Sequence, residues 1–189
     1  MVFDLEYTAW EGSMARRWLA PGEFKELVQI GAVRIDIETL TPLADYDVLV
    51  KPRINPVLSD YFVDLTGITN EAVSERGVDF LDAYNGFLDF CDGAPLSAFG
   101  RDDLILVDNA RLYGITDLRP LPPYVNAVWT LLAGGVDPRG YHACDVGRLC
   151  GVPFEGHEHD ALADARSVAL GLQALVARGV QNPFAEFIR

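Results

Sequence analysis

Asp4 and Glu6 stand two residues apart at the end of a short apolar run that starts at Met1. Alternate residues of a strand share a face, so a strand here puts both carboxylates on one side. Two like charges held together repel unless a cation lies between them. A carboxylate inside an apolar segment is also costly unless it is paired or bound to metal. Further along, the chain supplies Asp103, His159 and Asp164. Together the five residues could build a site in which two metal ions drive hydrolysis.

Each residue also has a plainer reading. Asp4 and Glu6 would suit a strand ending at a solvent-exposed edge. Asp103 follows Ser97-Ala98-Phe99-Gly100-Arg101-Asp102, a strand, glycine and helix-start pattern that delivers a carboxylate to a strand end. An acid there would equally cap the helix, and the adjacent Asp102 is its rival. His159 and Asp164 are separated by five positions, about 140° net around a helix. They can converge only if His159 sits at or before the first turn and Asp164 lies inside the helix. His157 could replace His159. An aspartate among Ala161, Leu162, Ala163 and Ala165 is unusual unless it meets a cation. No H-E-x-x-H motif occurs and no cysteine lies close by, so a zinc site is poorly supported.

The positioning elements follow from periodicity and punctuation. Val2–Leu5 reads as a strand, followed by a connection over 8–24 broken at Pro21-Gly22. Leu27–Ile37 is predicted as a strand from its β-branched residues, and Tyr46–Val50 as its return, giving an antiparallel meander. Ser59 and Thr69 cap two short helices. Val78–Cys91 has helical apolar spacing. Pro95–Phe99 is predicted as a strand, Asp102–Tyr113 as a helix, Tyr124–Val128 as a strand and Trp129–Ala133 as a helical turn. A short helix over Ala143–Cys150 and a long one over His159–Arg178 complete the chain. This order, without linker or repeat, predicts one mixed α/β layer structure over residues 1–189.

The net charge is -13, with two lysines among fifteen basic residues. That argues against broad, salt-driven binding to long duplexes. Local arginines could still hold a few phosphates, the candidates being Arg16, Arg17, Arg34, Arg53, Arg101, Arg111 and Arg139. Cys91, Cys144 and Cys150 suggest reduced residues rather than a disulfide framework. No signal-like segment or membrane-length apolar run is visible, so the expectation is a soluble, cytoplasmic protein without membrane partners. The stretches Val125–Trp129 and Pro183–Ile188 could cover an interface or pack on their own core, leaving monomer and homodimer both open.

These residues resemble the DEDDh 3′–5′ exonucleases. Asp4-Leu5-Glu6 matches the first family motif, Asp103 fits the second within Phe99-Gly100-Arg101-Asp102-Asp103, and His159-x-Ala161-x-x-Asp164-Ala165 matches the third. It is this resemblance that favours Asp103 over Asp102. Ile30-Gly31-Ala32-Val33 matches the family's second strand. Val50-Lys51-Pro52, Asn55–Ser59, Leu65-Thr66-Gly67-Ile68-Thr69 and Gly151–Gly156 look like the branch of histone-mRNA and RNA-interference-related 3′ exonucleases and bacterial sporulation-inhibitor homologues. Two positions depart from the pattern: Gln29, where glutamate is expected, and Asp160, where a basic residue is common.

The resemblance implies a ribonuclease H-like α/β fold, a mixed sheet of about five strands flanked by helices, forming a single exonuclease domain over residues 1–189. It implies two divalent cations, Mg²⁺ or Mn²⁺, held by Asp4, Glu6, Asp103 and Asp164, with His159 as base. The implied substrate is single-stranded RNA or DNA with a free 3′ end, RNA favoured, cleaved to nucleoside 5′-monophosphates. Leu5, Phe62, Leu65, Thr66, Gly67 and Ile68 would seat the terminal nucleotides. Phe62, Trp10 and Trp18 could equally be packing residues. The competing expectations are a DNA-directed proofreading or repair exonuclease and a catalytically silent nucleic-acid-binding protein.

Overall fold

The computed structural model describes residues 1–188. Its centre is β1 (Val2–Tyr7), which pairs antiparallel with β2 (Leu27–Ile35); β2 in turn pairs antiparallel with β3 (Pro42–Leu49). On the other side β4 (Leu96–Ala98) runs parallel to β1, and β5 (Tyr124–Asn126) parallel to β4. The result is the expected mixed five-stranded α/β sheet, in the order β3-β2-β1-β4-β5. The expected meander is β1-β2-β3. Its return strand starts four residues early, at Pro42, because pairing with β2 extends to Ile35. β5 is shorter than predicted: the Asn126 side chain accepts from Val128 N–H at 2.9 Å and so starts a helix.

Helices cover the sheet: α1 (Ser13–Arg16), α2 (Asp60–Thr66), α3 (Asn70–Arg76), α4 (Phe80–Cys91), α5 (Asp102–Leu112), α6 (Ala127–Ala133), α7 (Val146–Leu149) and α8 (Ala161–Ala177). Ser59 and Thr69 cap α2 and α3, as their sequence positions suggest, accepting from Phe62 N–H and Ala72 N–H. α4 begins after Val78, which bridges to Val50 while Asp79 takes the cap.

Strand alternation decides which face carries the chemistry. Phe3 and Leu5 enter a core with Tyr84, Phe87 and Leu106 from α4 and α5. Val2 enters the opposite core, with Val168 and Leu172 of α8 and Leu131 of α6. Asp4 and Glu6 share the parity of Val2, and therefore face the α8 side. Cys91, Cys144 and Cys150 are free and buried. Phe184 is fully buried in the α8-side core, whereas Trp129 is 68% exposed. Among the described residues no helix is long and apolar enough to cross a membrane.

The start of α8 lies against β2 at Gly31, the register partner of Asp4. A Cβ on Gly31 would fall 2.1 Å from Leu162 N and 2.2 Å from the Ala161 carbonyl carbon. Only glycine permits this approach, which sets the first turn of α8 beside the carboxylates of β1. The helix begins at Ala161 rather than at His159. Asp160 is its N-cap, accepting from Ala163 N–H at 2.9 Å, and His159 precedes it in the left-handed region at φ 63°.

Candidate active site

A cavity of about 290 Å³ opens beside the end of β1, with Asp4, Glu6, Asp102, His159 and Asp164 in its wall. β1 supplies the first two, the N-terminus of α5 supplies Asp102, and the start of α8 supplies the last two. The position of His159 before α8 resolves the five-residue spacing. Turned out of the helix, it meets Asp164 and Glu6, and one ligand atom from each of the three lies within 4.8 Å of the others.

The electrostatics are those of a site short of positive charge. Burial holds the Asp4 and Glu6 carboxyls well above the usual range. For Asp4 the neighbouring Asp102, Glu6 and Asp164 add to this; for Glu6 it is Asp164, Asp102 and Asp160. Burial, then Asp103, pushes Asp102 up to about 7. Burial, then Asp160, pushes Asp164 up to about 7. Asp164 is 2% exposed, yet its Oδ1 has no hydrogen-bond partner. Buried oxygens are rarely left so. An oxygen-rich donor set with one imidazole and an orphaned buried oxygen fits hard divalent cations such as Mg²⁺ or Mn²⁺. Asp4, Glu6, Asp102 and Asp164 could hold them, with the His159 imidazole beside them.

Of the two adjacent aspartates, the cavity wall takes Asp102 and not the expected Asp103. Asp103 does not line the cavity. Its carboxylate turns back to Arg101, accepting from Nε and from one terminal nitrogen, each at 2.8 Å. At the start of α5 neighbouring residues point about 100° apart, and here only one of the pair faces the site. That one is Asp102.

Burial, followed by the nearby His142, holds the His159 imidazole below its usual pKa. The two rings lie edge to face, with centroids 5.4 Å apart. His142 itself lines the cavity, and no motif in the sequence marks it. His157 is exposed and outside the wall, so it does not take the place of His159.

The rest of the wall is aromatic and apolar. Leu5, Phe62 and Leu65 reach it, as the resemblance implies. Thr66, Gly67 and Ile68 do not. Thr66 Oγ1 donates to Phe62 O and accepts from Ile68 N–H, Gly67 ends α2 at φ 73°, and Ile68 packs with Val73. Those three residues close a helix rather than line the cavity. Phe62 packs in a small core, 1% exposed, and also borders the cavity. Trp10 and Trp18 line the cavity, joined by Tyr7, Met14 and Tyr61, which belong to no recognisable motif. Trp18 is fixed by donating Nε1–H to Thr8 O at 2.8 Å and by an edge contact with Tyr7. Lys25 Nζ lies 4.4 Å from the Trp18 ring centre.

No lysine or arginine lines the cavity among the described residues. Of the arginine candidates, Arg16, Arg53, Arg101, Arg111 and Arg139 are engaged by acidic neighbours. The two departures from the family pattern touch each other: Gln29 Nε2 donates to Asp160 Oδ2 at 3.0 Å.

Residues 1–170 match the family model described as Exonuclease (RNase_T). The chain is 26% identical over 208 residues to ERI1 exoribonuclease 2 of Danio rerio, covering 96% of this chain and 35% of that protein. It thus spans about a third of the length of that curated relative. Among solved structures it resembles a full-length 3′-exonuclease, with a TM-score of 0.76 and 21% identity over 96% of this chain and 61% of that one. It also resembles the nuclease domain of 3′hExo, a DEDDh family member bound to rAMP, with a TM-score of 0.75 and 21% identity over 95% of this chain and 92% of that one. At such identities the structural likeness speaks for the fold, and that fold is ribonuclease H-like. The family match, with three acidic motifs converging on one cavity, identifies the chain as a member of the RNase T-type exonuclease family.

Proposed function

We propose that this protein is a metal-dependent 3′–5′ exonuclease of the DEDDh type, acting on single-stranded nucleic acid with a free 3′ end. The observation that carries the reading is the meeting of Glu6, His159 and Asp164 within 4.8 Å, with a buried, unpartnered oxygen on Asp164. RNA is the favoured substrate, on the resemblance to the histone-mRNA and RNA-interference-related branch. The whole of residues 1–189 is taken as one exonuclease domain. Its free, buried cysteines suit a reducing, cytoplasmic setting.

In this reading Asp4, Glu6, Asp102 and Asp164 hold two divalent cations. Bound Mg²⁺ or Mn²⁺ would supply an activated water and charge neutralisation at the leaving 3′ oxygen. The residues of the chain do the rest. His159 accepts the proton of the attacking water. Its depressed pKa keeps the imidazole neutral, and therefore basic, at neutral pH. The water oxygen bonds to phosphorus as the bond to the 3′ oxygen breaks, so the phosphate leaves on the released nucleoside 5′-monophosphate. Leu5, Phe62 and Leu65 seat the terminal base, and the Tyr7, Trp10 and Trp18 rings offer stacking faces. Stacking requires an unpaired base, which favours single-stranded ends.

The test is nucleotide release from matched 3′-labelled single-stranded RNA and DNA, in Mn²⁺ or Mg²⁺, with EDTA and Asp4→Ala controls. Metal-dependent release of mononucleotides, lost in D4A, is expected, faster on RNA. Faster release from DNA would redirect the reading to a repair or proofreading role. Binding without release, with Mn²⁺ loading verified, would replace it with a silent nucleic-acid-binding protein.

A further inference from the structure

We infer that Gln29 and Asp160 are a matched pair of positioning residues that set where helix α8 delivers His159 and Asp164. The inference rests on the proposed metal site and extends it to residues outside the cavity. Gln29 is opposite Glu6 in the β1–β2 register and is 2% exposed. Its side-chain amide is fully used. Oε1 accepts from Ala161 N–H at 2.9 Å, while Nε2 donates to Asp160 Oδ2 at 3.0 Å and to Asp47 Oδ1 at 2.9 Å. The other Asp160 oxygen caps α8 through Ala163 N–H at 2.9 Å.

Two of the N–H groups in the first turn of α8, which has no intrahelical partners for them, are thereby tied to the sheet. The tie lies between His159, two residues before Ala161, and Asp164, three residues after it. With Gly31 allowing the close approach, it fixes both the distance and the rotation of the helix start over β1 and β2.

The chemistry selects these two residue types together. Position 29 must present one acceptor to Ala161 N–H and donors to two carboxylates, and of the side chains of this size only an uncharged amide does all three. A glutamate in its place would set a third carboxylate against Asp160 and Asp47. An asparagine in place of Asp160 would turn its amide nitrogen toward Gln29 Nε2 while its oxygen caps the helix, leaving donor against donor. Making both substitutions together, Q29E with D160N, restores the bond between positions 29 and 160 with donor and acceptor exchanged, while Asp47 is left opposite a carboxylate, so the expected recovery is partial.

The experiment uses the full chain with Q29E, D160N and the Q29E/D160N double variant. Mn²⁺ binding is measured by calorimetry, and amide hydrogen exchange at Ala161 and Ala163 by NMR. Each single variant is expected to weaken Mn²⁺ binding about tenfold, the scale of outer-shell losses at metal sites. Each should also speed exchange at the start of α8, and the double variant should recover both towards wild type. Single variants that bind and exchange like wild type, or a double variant worse than both singles, would overturn the pairing. If wild type itself binds no Mn²⁺, the metal reading fails, and the exchange data still decide the pair. Should Q29E not fold, D160N, on a half-exposed cap, carries the same comparison through its exchange rates, with Q29L in place of Q29E expected to release Ala161.

Discussion

Glu26 and Asp164 are both buried carboxylates, 0% and 2% exposed, and the chain treats them in opposite ways. Glu26 is surrounded by donors. It accepts from Arg53 N–H, Ile54 N–H, Asn55 N–H, the Asn55 side-chain amide and Tyr113 OH at distances from 2.6 to 2.9 Å. These bonds tie the irregular loop after β3 to the start of β2. Asp164 has an orphaned oxygen and acidic neighbours. Burial alone therefore does not mark a functional acid. A carboxylate met by the protein's own donors at both oxygens holds structure together; one with a buried oxygen left unmet is set to receive something positive.

The largest effect that would sharpen this contrast lies within one dipeptide. D102N is expected to lower kcat on a 3′-labelled oligonucleotide roughly a thousandfold. D103N should stay within about threefold, because the Asp103 carboxylate is turned to Arg101 and does not line the cavity. Equal losses in the two variants would break the assignment of Asp102 to the site.

The next effect is on stability. E26Q keeps the shape of the side chain but presents donors to donors. It should destabilise the fold by about 3 kcal/mol, lowering Tm by roughly 6–12 °C. Thermal unfolding checks this, and activity per folded molecule should be unchanged.

Asp164 should behave in reverse. Its folded-state pKa of about 7 lies above the ordinary 3.8. The native state then holds the proton more tightly than the unfolded chain. The stability this provides is full below the ordinary value and is lost as pH rises through about 7. Metal-free protein should therefore lose Tm between pH 5 and pH 8, by on the order of 5 °C. D164N should flatten that slope and stabilise metal-free protein at pH 8, while abolishing the Tm rise on adding Mn²⁺. A metal-free Tm that climbs over this range would contradict the picture of uncompensated acids.

The smallest effect concerns the aromatic wall. W10A should raise KM for a single-stranded oligonucleotide about five- to tenfold, with kcat little changed, reflecting one lost stacking face of about 1–3 kcal/mol at most. Steady-state kinetics on substrates of differing length read it directly.

Much of this was legible in the chain. Period-two alternation placed Asp4 and Glu6 on one face, and the structure puts them on the α8 side. Ser59 and Thr69 announced their helices through local capping chemistry, which depends on neighbours only three residues away. The motif around His159 was legible as well, with the condition that His159 precede the helix. Thr66-Gly67-Ile68, expected at the substrate, close α2 instead of lining the cavity, a difference that a motif match does not record.

What the sequence by itself determined is whatever short-range pattern decides: element types, caps, the shared face of the first two acids, and the family. Tertiary structure alone decided between Asp102 and Asp103, because one 100° step around α5 separates the cavity from Arg101. It alone brought His142, Tyr7, Met14 and Tyr61 to the wall and paired Gln29 with Asp160, 131 residues apart. Such contacts depend on the rotation and closeness of packed elements. Those are set by long-range fit, as at Gly31 beneath α8, which no local pattern in a single chain records.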